Sequence, residues 1–137
     1  MKAETTTRYF LKKDNRLKSR KAIEILFAKG RHFSEYPLRV FWLFSEREGG
    51  LKAGFTASSK NFKKATDRNR IKRVVKEAYR LQKNNLEADK VLVGKSLHLF
   101  FIYTGKELPA YELIFEKTGN VMKRISNLIN ENTVQGP

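Results

Sequence analysis

A chain of 137 residues can bury one hydrophobic core but not two, so we expect a single domain. The absence of cysteine excludes disulfide bonds, a thiolate nucleophile and thiolate-bound zinc, and it fits a reducing, cytoplasmic setting. Residues 1–83 hold 23 of the 29 Lys and Arg but only 8 of the 14 Asp and Glu, so they carry the whole net charge of +15, which indicates a dedicated surface for a polyanion.

The first 15 residues are basic and polar and show no periodicity, so we interpret them as a flexible N-terminal arm. They precede the domain at 16–131, and we expect a frayed tail at 132–137. The chain lacks both the apolar core of a signal peptide and the ~20 apolar residues that span a bilayer, so we expect no membrane partner. From Ser19 onward the apolar positions have the spacing of an amphipathic helix, which Gly30 is placed to end.

Two strands are predicted next. Residues 38–44 (LRVFWLF) and 51–59 (LKAGFTASS) each alternate side chains between two faces. Because a double glycine separates them, we expect the two strands to pair as a hairpin.

The remaining elements are a helix, a strand and a helix. The first of these helices begins between Asn61 and Asp67, with Asn61, Thr66 and Asp67 as candidate caps, and runs to about Lys83. Residues 96–104 (SLHLFFIYT) are apolar enough for a largely buried strand. Residues 109–130 return to helical spacing, with an apolar stripe that includes Leu113 and is interrupted near Gly119. The predicted order is therefore α-β-β-α-β-α.

The helix near Asp67–Lys83 has two unlike faces. One arc is apolar and is expected to face the sheet: Ile71, Val74, Val75, Ala78 and Leu81. The opposite arc, named here the cationic ridge, contains Arg68, Asn69, Lys72, Arg73, Lys76 and Arg80, with Arg70 near its border and Glu77 as the one acidic interruption.

A solvated helix face is the plainer explanation of the cationic ridge, but its charges are poorly arranged for that purpose. Like charges four residues apart each cost a helix ~0.2–0.5 kcal/mol, and cations near a helix N-terminus are also unfavourable. Bound phosphates would turn both costs into favourable interactions.

The motif RNRIKRVVKEAYR, preceded by GFTASSK, closely resembles the signature of the protein subunit of bacterial ribonuclease P. Residues 15–33 (NRLKSRKAIEILFAKGRHF) are similar to that family's first helix, and the resemblance covers most of 15–131. It implies an α+β fold of the ribosomal S5 domain 2-like class, with a mixed sheet packed by helices.

The resemblance also implies a function. In that family a catalytic RNA removes the 5′ leader from precursor tRNA, and the small basic protein helps the RNA to bind this substrate. The expected partners are thus the catalytic RNA and precursor tRNA, with no obligate protein partner, no cofactor or metal bound by the protein itself, and Mg²⁺ serving the RNA-catalysed reaction. The positions that match the family's RNA contacts are Arg68, Asn69, Arg70, Lys72 and Arg73, with support from Lys60, Lys63, Lys64 and Lys76.

The family holds the leader in a cleft between its first helix and its sheet, and the matching positions here are Ile23, Phe27 and Phe41. Ile23 departs from the aromatic residue that is common there. The strand pattern adds Arg39 on the face of Phe41, and Thr56 and Ser58 as small polar side chains on the neighbouring strand. The plainer alternative is that Phe27 and Phe41 are core residues.

Other functions are less well supported. A protein-only nuclease needs clustered carboxylates or a histidine base, whereas Asp14, Asp67 and Asp89 are far apart in sequence, and His32 and His98 have no evident partners. We therefore expect no catalytic residues in this chain. A ribosomal or assembly protein that binds structured RNA without a role in cleavage is the main alternative, and binding to a membrane surface ranks last.

Overall fold

The computed structural model describes residues 16–83 and 94–135, with side chains described up to residue 130. The predicted arm at 1–15, together with Asp14 and Asp89, lies outside the described residues. The helices and strands follow in the order α1 (Arg20–Lys29), β1 (Arg31–Glu35), β2 (Leu38–Ser45), β3 (Gly50–Ala57), α2 (Ala65–Gln82), β4 (Ser96–Tyr103) and α3 (Tyr111–Gln135).

The four strands form one mixed sheet in the order β1-β2-β4-β3, in which β4 runs antiparallel to β2 and parallel to β3. The predicted α+β class with a mixed sheet is confirmed. The predicted hairpin is wrong, because β4 lies between β2 and β3. The composition of β4 explains its place: SLHLFFIY is apolar on both faces, and a central strand buries both.

One strand, β1, was not predicted from the sequence. β1 pairs antiparallel with β2, so that Phe33 is opposite Val40. Its sequence, RHFSE, has a single buried side chain, Phe33, and is too short and polar to show a period of two. The observed order is therefore α-β-β-β-α-β-α.

The core lies between one face of the sheet and the helices α2 and α3. The sheet contributes alternate residues, such as Val40 and Trp42 on β2 and Leu99 and Phe101 on β4, and every one of these is buried. Full burial of a large apolar side chain stabilises a fold by ~1.5–3 kcal/mol. The core is therefore the main source of stability.

The third helix continues through Gly119 without a break. Its buried stripe includes Ile114, Val121 and Ile125, whereas Leu113, which was predicted to lie in the stripe, is 41% exposed. The side-chain amide of Gln82 on α2 donates hydrogen bonds to the carbonyls of Ala78 (3.2 Å) and Phe115 (3.0 Å), which ties α2 to α3.

The N-cap of α1 is a residue type that favours this position, whereas the N-cap of α2 is not. The Oγ of Ser19 accepts a hydrogen bond from the backbone N–H of Ala22 at 3.2 Å, as expected for an N-cap. At α2 the N-cap residue is Lys64, which makes no capping bond through its side chain. None of the three candidate caps is used, and the amide of Asn61 instead donates to the carbonyls of Thr104 and Gly105 (both 3.3 Å).

Among the described residues, the opposite face of the sheet is covered by α1, which has ten residues, and by the segment before it, in which Leu17 is buried and its carbonyl lies next to Gly54. Leu26 is the one fully buried side chain of this helix. A large part of the face therefore stays accessible. Within residues 16–83 and 94–135, no helix is both long and apolar enough to cross a membrane.

Gly54 of β3 permits the close approach of an aromatic ring on this accessible face. A Cβ at Gly54 would lie 2.6 Å from ring atoms of Phe100, its partner on β4. We predict that Gly54→Ala destabilises the protein by ~1–3 kcal/mol, because the ring must move out of its place. Urea unfolding followed by circular dichroism measures this loss.

Gly119→Ala is the matched control. Its added Cβ would approach only the end of the flexible Gln82 side chain, at 2.9 Å, and alanine favours a helix over glycine by about 1 kcal/mol. The free energy of unfolding should stay unchanged or rise. Equal losses in the two variants would show that Phe100 imposes no special constraint at Gly54.

Candidate nucleic-acid interface

The orientation of α2 is set by an aromatic cluster that the sequence analysis missed. Tyr79 is buried, with its ring centroid 5.5 Å from those of both Phe55 and Phe101. The buried arc of the helix is rotated toward Tyr79, so Val74 and Leu81, which were predicted to face the sheet, are only half-buried.

This rotation divides the cationic ridge into two sides. On the β3 side, Asn69, Lys72, Arg73 and Lys76 surround the ring of Phe55 and line a surface cavity of about 270 Å³. On the α3 side, a cavity of about 440 Å³ is lined by Arg70, Arg73, Val74, Glu77 and Tyr111. Arg73 lies between the two cavities and contributes to both.

The segment before α1 adds positive charge to the β3 side. The backbone N–H of Leu17 donates to the carbonyl of Ala53 at 2.9 Å, which holds Arg16 and Lys18 beside the edge strand β3. The pKa of Lys76 is lowered, first by its burial and then by the charges of Arg16 and Lys18. The run NRLKSR was the available signal for these residues, but sequence spacing does not show that it lies next to Lys76.

Arg68, at the start of the ridge, has a structural role as well. Its Nη1 donates hydrogen bonds to the carbonyls of Phe62 (2.8 Å) and Lys63 (2.9 Å). The Oγ of Ser58 accepts bonds from the N–H groups of Lys60 (3.2 Å) and Asn61 (3.4 Å) in the same loop. These bonds hold the exposed lysines of the loop, Lys60, Lys63 and Lys64, next to the first turn of α2.

The far end of the ridge is neutralised within the helix. Nε and Nη2 of Arg80 donate to the two carboxylate oxygens of Glu77 at 3.0 and 2.6 Å, and this bonding lowers the pKa of Glu77. Glu77 thus balances the charge of Arg80, the last cation of the ridge. The remaining concentration of cations is in the middle of the helix and beside β3.

Three phenylalanines meet in the cleft between α1 and the sheet. The ring of Phe27 makes edge contacts with those of Phe41 (4.8 Å between centroids) and Phe100 (5.2 Å). Phe27 is nevertheless 43% exposed, and the other two rings are half-buried. Phe100 was missed because 96–104 was interpreted as largely buried. His98, on the same strand face, was a signal that this face is less buried.

The next row of side chains on this face has an isoleucine between two polar residues. Arg39 on β2 is opposite Ile102 on β4, which is in turn opposite Thr56 on β3. Ile23 is half-buried and one helical turn before Phe27, so helical spacing places it on the same side of α1. Five of the six predicted cleft residues are therefore brought to one side of the sheet. The sixth, Ser58, lies beyond the end of β3, where its hydroxyl oxygen accepts hydrogen bonds from the N–H groups of Lys60 and Asn61.

The two histidines and Asp67 lie on three different elements, β1, β4 and α2. The ring of His32 is 5.1 Å from that of Phe41, and the pKa of His98 is lowered by burial and by the charge of Lys52. Asp67 lies in the first turn of α2, where the helix dipole favours an acid. In the part of the chain that the structure describes, no group of three His, Cys, Asp or Glu side chains could hold a metal ion.

Comparisons with known proteins agree with this architecture. The family model described as Ribonuclease P matches residues 11–126. The ribonuclease P protein component of Porphyromonas gingivalis is 36% identical over 108 residues, which are 76% of this chain and 77% of that protein. The one from Chlorobium phaeobacteroides is 29% identical over 127 residues, covering 84% and 87%. The solved ribonuclease P protein from Thermotoga maritima is similar with a TM-score of 0.59 at 25% identity, over 80% of this chain and 96% of that one.

A match over most of the chain, in both sequence and fold, establishes the relationship. The chain belongs to the family of bacterial ribonuclease P protein components, the RNA-binding subunits of that endoribonuclease.

Proposed function

We propose that this subunit uses two neighbouring surfaces for two RNAs. The cationic ridge and the loop before it bind the catalytic RNA of ribonuclease P. The cleft between α1 and the sheet binds the single-stranded 5′ leader of precursor tRNA. The loop that follows β3 joins the two surfaces, so the protein can hold the leader at a fixed position relative to the catalytic RNA.

The observation that carries the proposal for the leader is the exposure of Phe27. A phenylalanine that served only the core would be covered, yet this ring lies on two other rings with 43% of its surface exposed. Unpaired bases stack on such aromatic surfaces without regard to sequence, and Arg39 in the adjoining row can pair with a phosphate. This combination favours a flexible single strand over a duplex.

The ridge is supported as a phosphate-binding surface by its electrostatics. Lys76 is charged only at a cost, because it is partly buried and because the neighbouring Arg16 and Lys18 repel it. An RNA phosphate at this position would offset the repulsion and release counterions. Asn69 adds a neutral donor and acceptor beside these charges, suited to a sugar hydroxyl or a base edge.

The protein takes no chemical step in this proposal. The described residues offer no metal cluster, and the acid Glu77 is held by Arg80. Bond cleavage is assigned to the catalytic RNA with Mg²⁺, and the protein contributes by binding and orienting both RNAs. Stimulation of leader removal by a bacterial ribonuclease P RNA at low Mg²⁺ tests the assignment. Cleavage of precursor by the protein alone would overturn it.

Loss of charge on the β3 side of the ridge should weaken binding to the catalytic RNA and flatten its salt dependence. For Lys72→Gln combined with Lys76→Gln, the slope of log affinity against log salt should fall by about 0.9 for each lost phosphate contact. Filter binding over a range of salt concentrations measures both quantities. The control Lys123→Gln removes one exposed charge from α3 and should leave the slope unchanged. If the double variant behaves like the control, these lysines do not contact the RNA.

Loss of the exposed ring should act on the leader specifically. Phe27→Leu is expected to weaken binding of leader-bearing precursor to the holoenzyme by about 5- to 100-fold, since a stacked base contributes ~1–3 kcal/mol. Binding of mature tRNA should hardly change. Tyr36→Leu is the control, because its ring is 68% exposed on the turn between β1 and β2 and lies outside the cleft. Equal losses for precursor and mature tRNA would identify Phe27 as a packing residue only.

The pKa of Lys76 should report phosphate occupancy. Burial and like charges lower this pKa in the free protein, so bound phosphate, which favours the charged form, should raise it. RNA binding should then take up a proton at alkaline pH and weaken as the pH rises through the range in which Lys76 deprotonates. The ¹³C shift of the lysine ε-carbon, assigned with Lys76→Arg, measures the pKa with and without RNA. Arg16→Gln should also raise the pKa of Lys76 in the free protein, because it removes one of the repelling charges. If the pKa of Lys76 does not change when RNA binds, no phosphate lies beside this lysine.

A further inference from the structure

The cavity on the α3 side of the ridge combines aromatic and cationic side chains. Arg70 and Arg73 are exposed on α2, one turn apart, and Tyr111 begins α3 on the facing side. Together with Val74 and Glu77 they line about 440 Å³ of surface cavity. Neither the cleft nor the β3 side of the ridge includes Tyr111.

Tyr111 is built as a stacking surface. Its ring is half-buried against the core and lies 5.8 Å from the ring of Phe115, which fixes its orientation while part of it remains accessible. Burial, followed by the charge of Glu77, raises the pKa of its hydroxyl, so the ring is neutral at physiological pH. A fixed neutral ring can stack with a base at little entropic cost.

The two arginines have no acidic partner among the described residues. Glu77 is the acid that lines the same cavity, but both of its oxygens accept bonds from Arg80. Neither Arg70 nor Arg73 forms an ion pair within the described ranges. Two guanidinium groups beside a neutral aromatic ring match a phosphate next to a base.

We propose that this cavity is a subsite for one unpaired nucleotide of the catalytic RNA, whose base stacks on Tyr111 while Arg70 and Arg73 bind its flanking phosphates. The inference rests on the proposed binding of that RNA by the ridge and names an element that the ridge recognises. A base inside a duplex keeps both faces stacked on its neighbours, so the nucleotide must be a bulged, looped or terminal one. An acidic peptide would satisfy the arginines but would leave the ring without a stacking partner.

Affinity for the catalytic RNA, measured over a range of salt concentrations, tests the subsite. Tyr111→Leu should weaken binding about tenfold or more with an unchanged salt slope, because stacking is lost but no phosphate contact is. Tyr111→Phe should bind like the parent. Arg70→Gln should lower both the affinity and the slope. The control Tyr36→Leu removes a tyrosine that is 68% exposed on the turn between β1 and β2, and it should have no effect.

Ultraviolet crosslinking of the parent complex gives a second readout that does not depend on the stability of a variant. A peptide containing Tyr111 should carry a crosslinked nucleotide that is unpaired in the RNA. Absence of this crosslink, or parent-like affinity of a folded Tyr111→Leu variant, would overturn the subsite while leaving the ridge intact. If the parent itself fails to bind the RNA, the proposed function fails with it. Poly-glutamate provides a test of the alternative ligand. If it competes with RNA and its affinity falls as much as that of RNA in Tyr111→Leu, the site binds an acidic peptide and not a nucleotide.

Discussion

The central position of β4 is the constraint on which both surfaces depend. Its apolar side chains point to both faces of the sheet, with Phe101 toward α2 and α3 and Phe100 toward α1. Two long helices bury most of the first face, including Val40, Leu99 and Phe101. Among the described residues, α1 and the short segment before it cover the second face only in part, and Phe27, Phe41 and Phe100 stay partly accessible there. The cleft is therefore a consequence of a sheet that is apolar on both sides and has unequal cover.

The same central strand sets the charge distribution of α2. Tyr79 packs between Phe55 and Phe101, and this packing fixes the rotation of the helix above the sheet. Lys72 and Lys76 are thereby turned toward β3, and Arg70 toward α3. Charges that look like one stripe in a helical projection become the walls of two cavities. A shift of the helix by one residue would move each of these side chains by about 100° around the axis.

Periodicity alone predicted most helices and strands, the core face of α2 near Ile71 and Val75, and the alternation that places Phe41 on the sheet face opposite Val40 and Trp42. Periodicity could not predict the strand order. The order depends on which strand has two apolar faces to bury, and β4 is separated from β3 in the sequence by a whole helix. Periodicity also could not show that Arg68 bonds loop carbonyls, or that Arg16 lies beside Lys76. These contacts join residues whose proximity exists only after folding.

The loop after β3 couples the two surfaces mechanically. Ser58 and Arg68 each bond its backbone, and the amide of Asn61 anchors it to the carbonyls that follow β4. The Ser58 bonds stabilise the loop itself, the Arg68 bond joins it to α2, and the Asn61 bonds join it to the residues that follow β4. A rigid connection of this kind fixes the distance between a strand held in the cleft and an RNA held on the ridge. Under the proposed function, that fixed distance lets a protein without catalytic groups influence where a separate catalyst cuts, since positioning alone can supply several kcal/mol to a reaction.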